Sequence, residues 1–137
     1  MGDHDYLAFS LDSQLFAFDV NQVGKVVRAM RITQLPEGPE LLLGIIDLRG
    51  ETLPVVNIRK RFRLPERELA LDDRIVIVNS RPRMAFIADI VLGVLSLTPE
   101  QYQAPNEVYP GLEHHLIGVG KHGQETVLIL DLSILDN

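Results

Sequence analysis

Glu51-Thr52-Leu53-Pro54-Val55-Val56-Asn57-Ile58 aligns without a gap on Glu125-Thr126-Val127-Leu128-Ile129-Leu130-Asp131-Leu132. Each octet follows a Leu-aliphatic-Gly step, Leu42-Leu43-Gly44 and Leu116-Ile117-Gly118, at the same offset of 74 residues. Phe16-Ala17-Phe18-Asp19-Val20 resembles Phe86-Ile87-Ala88-Asp89-Ile90 in the same way, at an offset of 70. A period near half the chain predicts two related sub-barrels packed side by side, because a solenoid needs about three units or more to bury its core. Chance recurrence of strand patterns is the alternative reading.

Outward from these octets the chain reads as strand after strand. Tyr6 to Leu11 and Leu15 to Val20 form a hairpin about Asp12-Ser13. Apolar residues at 20, 23, 26 and 27 have the spacing of a short helix, although Gly24 interrupts it. Pro36, Gly38 and Pro39 mark a loop, and Leu41 to Leu48 meets Glu51 to Ile58 at Arg49-Gly50. Asp73 to Asn79, Met84 to Asp89 and Ile90 to Leu97 follow, with a turn at Pro82 and a bend near Gly93. Residues 98 to 113 read as a long loop, Leu116 to Val119 and Thr126 to Leu132 as closing strands, and 133 to 137 as a helical turn. Roughly nine strands and little helix give an all-β class, barrel or sandwich, in one domain over residues 1–137.

Composition narrows the function. Hydrophobic residues are 46% but aromatics only 6%, with no Trp, so the core is aliphatic. The absence of Cys excludes disulfides, thiolate metal sites and cysteine nucleophiles. A net charge of −6 argues against a nucleic-acid partner, which needs a basic face. No apolar run approaches the roughly 20 residues of a membrane span, and the acidic start has no signal-peptide core. The expected location is the cytoplasm.

The stretch Gly44-Ile45-Ile46-Asp47-Leu48-Arg49-Gly50-Glu51-Thr52-Leu53-Pro54-Val55-Val56-Asn57-Ile58-Arg59-Lys60-Arg61-Phe62 strongly resembles the signature of the CheW-like family. That signature is Gly, two aliphatics, Asn or Asp, Leu-Arg-Gly, a spacer, then Pro-aliphatic-aliphatic-Asp/Asn-aliphatic-Arg. The remaining segments fall in the family's order along nearly the whole chain. The resemblance implies two intertwined SH3-like five-stranded β-barrel subdomains with short helical turns and a groove between them. It implies a non-enzymatic adaptor that couples the cytoplasmic tip of a methyl-accepting chemoreceptor to the regulatory domain of a CheA-type histidine kinase. Its receptor-binding groove carries over to Val23, Val26, Gly44, Asp47, Arg49 and Gly50.

Several of these residues have plain structural readings. Val23 and Val26 also suit core packing, and Arg49 suits a salt bridge with Asp47, although an exposed pair contributes only ~0–1 kcal/mol. Gly50 suits a turn that demands positive φ. One position departs from the family: a Glu usually faces the Arg of Leu-Arg-Gly, and ungapped counting puts Lys25 there. Either Asp47 or Glu51 then partners Arg49, or the chain recognises a different ligand.

Other signals are weak. Glu113, His114 and His115 lack a further ligand, and neighbouring strand side chains point apart. Gly118 to Gly123 fits G-x-G-x-x-G but precedes a strand, not a helix. Arg59 to Arg63 is a basic cluster expected to be solvated or to face a partner. No catalytic, metal or cofactor set emerges. The chain is read as mostly monomeric with weak self-association, without membrane insertion. A divergent scaffold for another kinase-linked pathway is the first alternative, and a small-ligand-binding β-barrel the second.

Overall fold

A computed structural model describes residues 2–108 and 115–136. Among them are eleven strands: β1 (His4–Leu11), β2 (Gln14–Asp19), β3 (Val23–Arg28), β4 (Leu42–Leu48), β5 (Glu51–Val56), β6 (Arg74–Val78), β7 (Met84–Ala88), β8 (Ile90–Leu97), β9 (Tyr102–Gln103), β10 (Leu116–His122) and β11 (Glu125–Leu130). Among the described residues helix is confined to α1 (Ile58–Arg61), α2 (Pro105–Val108) and 3-10 turns at Val20–Gln22, Pro99–Gln101 and Leu132–Leu135. The all-β reading holds.

The strands form two sheets, ordered β8-β1-β2-β11-β10-β9 and β3-β6-β7-β5-β4. The opening hairpin therefore joins the last strands, and the middle of the chain builds the other sheet, which intertwines the two units. Their hydrogen bonding coincides in detail. The Asn57 amide donates to Leu41 O at 2.7 Å, and the Asp131 amide, 74 residues on, to His115 O at 2.8 Å. Register breaks fall at Leu42/Gly44 and at Leu116/Gly118, again 74 apart. Asn57 and Asp131 each use a side-chain oxygen to cap the helical turn that follows.

The second likeness is displaced. Val55 pairs with Ala85 and Ile129 with Ala17 in the two parallel ladders, so Ala17 and Ala85 are equivalent, 68 residues apart and not 70. A slip of two residues preserves which face each side chain takes, so sequence similarity alone does not reveal it.

Alternate residues of the central strands enter different cores. Val76, Val78, Phe16, Phe18 and Leu130 pack into one core shared by both sheets. Ile75, Ile77, Leu53 and Val55 fill a second within the five-stranded sheet, while Ala17, Val127 and Ile129 fill a third in the other. Burial on both faces is why Ile75-Val76-Ile77-Val78 runs without a polar interruption. All five phenylalanines of the chain belong to or pack against the shared core. There Phe86 stands 4.9 Å from Phe9 and 5.5 Å from Phe18 between ring centroids.

The helix expected over Val20 to Val27 is only a 3-10 turn at Val20–Gln22 followed by strand β3. A register shift between Val23 and Lys25 lets Val23 and Val26 meet Val78 and Val76 on one face, three residues apart. That bulge imitates the spacing of a helix. Residues 98 to 108 also hold more than a plain loop, since a 3-10 turn, β9 and α2 occur there. The bend at Gly93 is present, with φ +103° beside a register shift in the β1–β8 ladder.

Candidate protein-binding site

The β4–β5 connection is a two-residue turn in which Arg49 has φ 50° and Gly50 φ 86°. Positive φ at both central positions is the geometry that matches the twist of a hairpin, and it favours Asn, Asp or Gly. Gly50 complies at no cost; Arg49 carries backbone strain of about 1 kcal/mol. Asp47 stabilises the turn by accepting the Gly50 amide at 3.0 Å on Oδ1. Glu51 instead pairs with Arg83 at 2.6 Å. Neither acid partners Arg49, which corrects the expected Asp47 or Glu51 pairing. Arg49 is exposed and makes no ion pair among the described residues.

Val23 lies at the same end of the five-stranded sheet as this turn. It pairs with Val78, and the Asn79 amide, one residue on, donates to Gln22 O at 2.8 Å. The Asn79–Arg83 connection that follows is tied by Arg83 to Glu51, beside the β4–β5 turn. Val23, Lys25, this connection and Arg49-Gly50 thus share one rim. Lys25 lies on one edge strand, β3, and Arg49 in the turn that follows the other edge strand, β4, with β6, β7 and β5 between the two edges. Val26 sits further along β3 and lines a shallow groove with Ile90, Val91, Asp72, Arg74 and Asp89. Gly44 presents no surface: it is buried beneath Thr33, whose N–H and C=O both bond Ile45 at 2.9 Å. A Cβ there would collide with the Thr33 carbonyl, so Gly44 is required for close approach. The six groove residues therefore divide into a rim, a groove and a buried contact.

The basic cluster expected to be solvated or to face a partner is divided: Arg59 is turned inward and Arg61 is tied to the closing turn, whereas Lys60 and Arg63 stay at the surface. Arg59 donates to Asp12 at 2.8 Å, to Asp89 at 2.7 and 2.9 Å, and to Pro65 O at 2.8 Å. Arg67 binds Asp73 with two nitrogens at 2.7 and 3.0 Å and reaches Asp89 at 2.7 Å. Arg61 bonds the Ile134 and Asp136 carbonyls, and Lys60 lies 3.3 Å from Glu40. Burial alone would raise the Asp89 carboxyl, but hydrogen bonds from Arg59, the Asp12 amide and Arg67 hold it below the ordinary range. Burial likewise opposes the charge of Arg59, and its bonds to Asp12 and Asp89 outweigh it and raise the guanidinium. Arg59 is the terminal Arg of the motif, and its role was invisible in sequence because Asp12 and Asp89 are distant along the chain.

Two further surfaces frame the site. Edge strand β8 exposes Ile90, Leu92 and Val94 at 57, 56 and 62%, a row of aliphatics on alternate positions. A cavity of about 560 Å³ lies under the loop after α1, floored by Ile32, Leu43, Val56 and Ile87. Much of its polar lining is committed internally, since the Asn57 side-chain amide donates to Glu66 and Arg59, Arg67 and Asp73 belong to the ion network, while Gln34 and Glu68 also line it. Of the weak metal candidates, Glu113 and His114 lie outside the described residues, and the His115 ring faces Ser133 Oγ at 3.3 Å. Gly118 to Gly123 runs along β10 into a hairpin turn, as expected. Among the described residues no helix is long and apolar enough to cross a membrane.

Comparison with known proteins gives one answer. Residues 5–136 match the family model of the CheW-like domain. The chain is 29% identical over 132 residues to the chemotaxis protein CheW of Treponema pallidum, covering 92% of this chain and 78% of that one. It is 34% identical over 104 residues to CheW of Thermotoga maritima, covering 76% and 69%. The crystal structure of the scaffolding protein TtCheW from Thermoanaerobacter tengcongensis superposes with a TM-score of 0.86 at 30% identity, covering 98% of this chain and 94% of that one.

Proposed function

Because the chain belongs to the CheW-like domain family and is a chemotaxis coupling adaptor, we propose that it joins a methyl-accepting chemoreceptor tip to the regulatory domain of a CheA-type histidine kinase. It does so in the cytoplasm, as one domain over residues 1–137 built of two pseudo-repeated sub-barrels, and without catalysis. The observation that supports this reading best is Arg49. A bulky cation is held at positive φ at the tip of a hairpin, exposed, with its neighbouring acids engaged elsewhere. Backbone strain that serves no internal contact is characteristic of a recognition residue. Arg also suits an interface because its planar guanidinium makes several directed hydrogen bonds.

The receptor contact comprises Val23, Arg49 and Gly50 on the rim, with Val26 in the adjoining groove and Asp47 and Gly44 holding the backbone in place. The kinase contact uses the aliphatic edge of β8, because an exposed edge strand is a template for association. The same edge accounts for weak self-association of a largely monomeric protein. Arg49→Glu is expected to weaken receptor capture about tenfold while leaving kinase capture intact, read by parallel pull-downs from host lysate. Loss of both partners together, or of neither, contradicts the division of surfaces. Lys25 favours a second reading, a scaffold for another kinase-linked pathway, and the identity of the captured kinase separates the two.

A further inference from the structure

We infer that the cavity beneath the loop after α1 is a binding site for a small organic amine with an apolar body. The cavity measures about 560 Å³. Packing defects rarely exceed the size of a water molecule, whereas sites for small molecules span roughly 300–1,000 Å³. Its floor is aliphatic: Val56 is buried, and Ile32, Leu43 and Ile87 are half-buried. Leu43, Val56 and Ile87 stand on β4, β5 and β7, which are neighbours in one sheet, so the floor is rigid. The loop that forms the wall is fixed by polar contacts. The Leu64 amide donates to Arg59 O at 2.9 Å, Arg59 to Pro65 O at 2.8 Å, and the Asn57 side-chain amide to Glu66 at 2.6 Å. A loop held on a rigid sheet is the usual frame of a preformed site.

The charges around the cavity select the ligand. Its two cations, Arg59 and Arg67, are taken by Asp12, Asp73 and Asp89, so an entering anion finds no free donor and meets acids beside the cations. Glu68 differs from the other acids. Arg67 takes its backbone carbonyl at 3.1 Å, and its carboxylate makes no hydrogen bond or ion pair among the described residues. The Gln34 side chain is equally uncommitted among them. Both residues are exposed, which sets them at the mouth above the apolar floor. A carboxylate and a carboxamide oxygen accept from an ammonium group, while the floor takes a hydrocarbon body. At the mouth the ammonium keeps part of its hydration, which avoids the cost of burying a charge. A chain of net charge −6 also attracts a cation and repels an anion. The cavity shares no residue with the rim at Arg49-Gly50, the groove at Val26 or the edge of β8, so the site and the coupling reading stand independently.

Phenethylamine, 2-phenylethanol and 3-phenylpropanoate have similar bodies and differ in the charge of the head, so they serve as probes. The full chain is titrated with each, and methyl-resolved NMR reads where they bind. Phenethylamine is expected to shift the methyl signals of Ile32, Leu43, Val56 and Ile87 and to bind about tenfold more tightly than 3-phenylpropanoate, with the alcohol between them. Glu68→Gln, at an exposed position, should bring the amine and the alcohol to equal affinity. Leu43→Trp and Ile32→Trp each fill the cavity and should weaken all three probes about tenfold. No methyl shift at the floor with any probe up to about 10 mM overturns the site. Equal binding of amine and carboxylate to wild type, or an amine preference that survives Glu68→Gln, overturns its chemistry. Undiminished binding to a folded tryptophan variant places the probe elsewhere and overturns it too. If neither tryptophan variant folds, the floor methyls and Glu68→Gln decide alone.

Discussion

Arg59→Ala is expected to lower the unfolding free energy by about 3 kcal/mol, read as a shift of the urea midpoint at unchanged slope. The Arg59 side chain is 11% exposed and that of Asp89 18%, so neither charge has water as a full substitute for the other. Removing the guanidinium strands Asp12 and Asp89 near one another and frees the Pro65 carbonyl. Arg67 still holds Asp89, which keeps the cost below that of an isolated buried charge. Arg59→Lys restores the charge without the planar fork and is expected to recover less than half of the loss. A loss under about 1 kcal/mol for the alanine variant would place this network with ordinary surface pairs and contradict its structural role.

The same network sets an acid limit. The folded pKa of Asp89 is below its unfolded value, so its contribution is complete above the unfolded pKa and is lost as pH falls through the folded one. Wild-type stability should therefore decline below about pH 4. That decline should be shallower in Arg59→Ala, where the depression of Asp89 is reduced. Melting temperatures collected from neutral pH down to about pH 3 decide it.

Phe86→Ala is expected to cost about 4 kcal/mol. The ring is fully buried, and it contacts Phe9 and Phe18, which belong to the other sheet. The cavity left behind opens in the core that both sheets share, so unfolding should stay a single transition. The natural probes make this measurable. There is no Trp; of the three tyrosines Tyr6 and Tyr102 lie in the six-stranded sheet and Tyr109 is outside the described residues, whereas Phe86 lies in the five-stranded sheet. Tyrosine fluorescence and far-ultraviolet circular dichroism should shift together by the same amount. Leu53→Ala, in the core of the five-stranded sheet alone, is expected to cost about 3 kcal/mol with the same coincidence. Two separated transitions in either variant would show that the sheets unfold independently.

Local chemistry determined a good deal without any tertiary information. The octets at 51–58 and 125–132 read as strands because their alternation and β-branching suit a pleated ribbon, and the first six residues of each are strand, whereas Asn57 and Asp131 cap helical turns that begin at Ile58 and Leu132. The turn at Gly50, the bend at Gly93 and the breaks at Pro36 and Pro82 follow from which residues tolerate positive φ or lack an N–H. The motif from Gly44 to Phe62 identified the family because its small, charged and apolar residues lie at close spacing, where sequence order is also spatial order.

What only the tertiary structure decided depends on contacts between distant residues. The segment from Val23 to Val27 became a strand because β6 offered a ladder, and a bulge reconciled its spacing with two cores. Gly44 turned out to be a close-packing position because Thr33 crosses it. Asp47 and Glu51 left Arg49 for the Gly50 amide and for Arg83, the latter 32 residues away from its partner. Arg59 was drawn inward by Asp12 and Asp89, 47 and 30 residues distant. A side chain's partner is chosen by which charges folding brings within about 3 Å, and one-dimensional spacing carries no record of that distance.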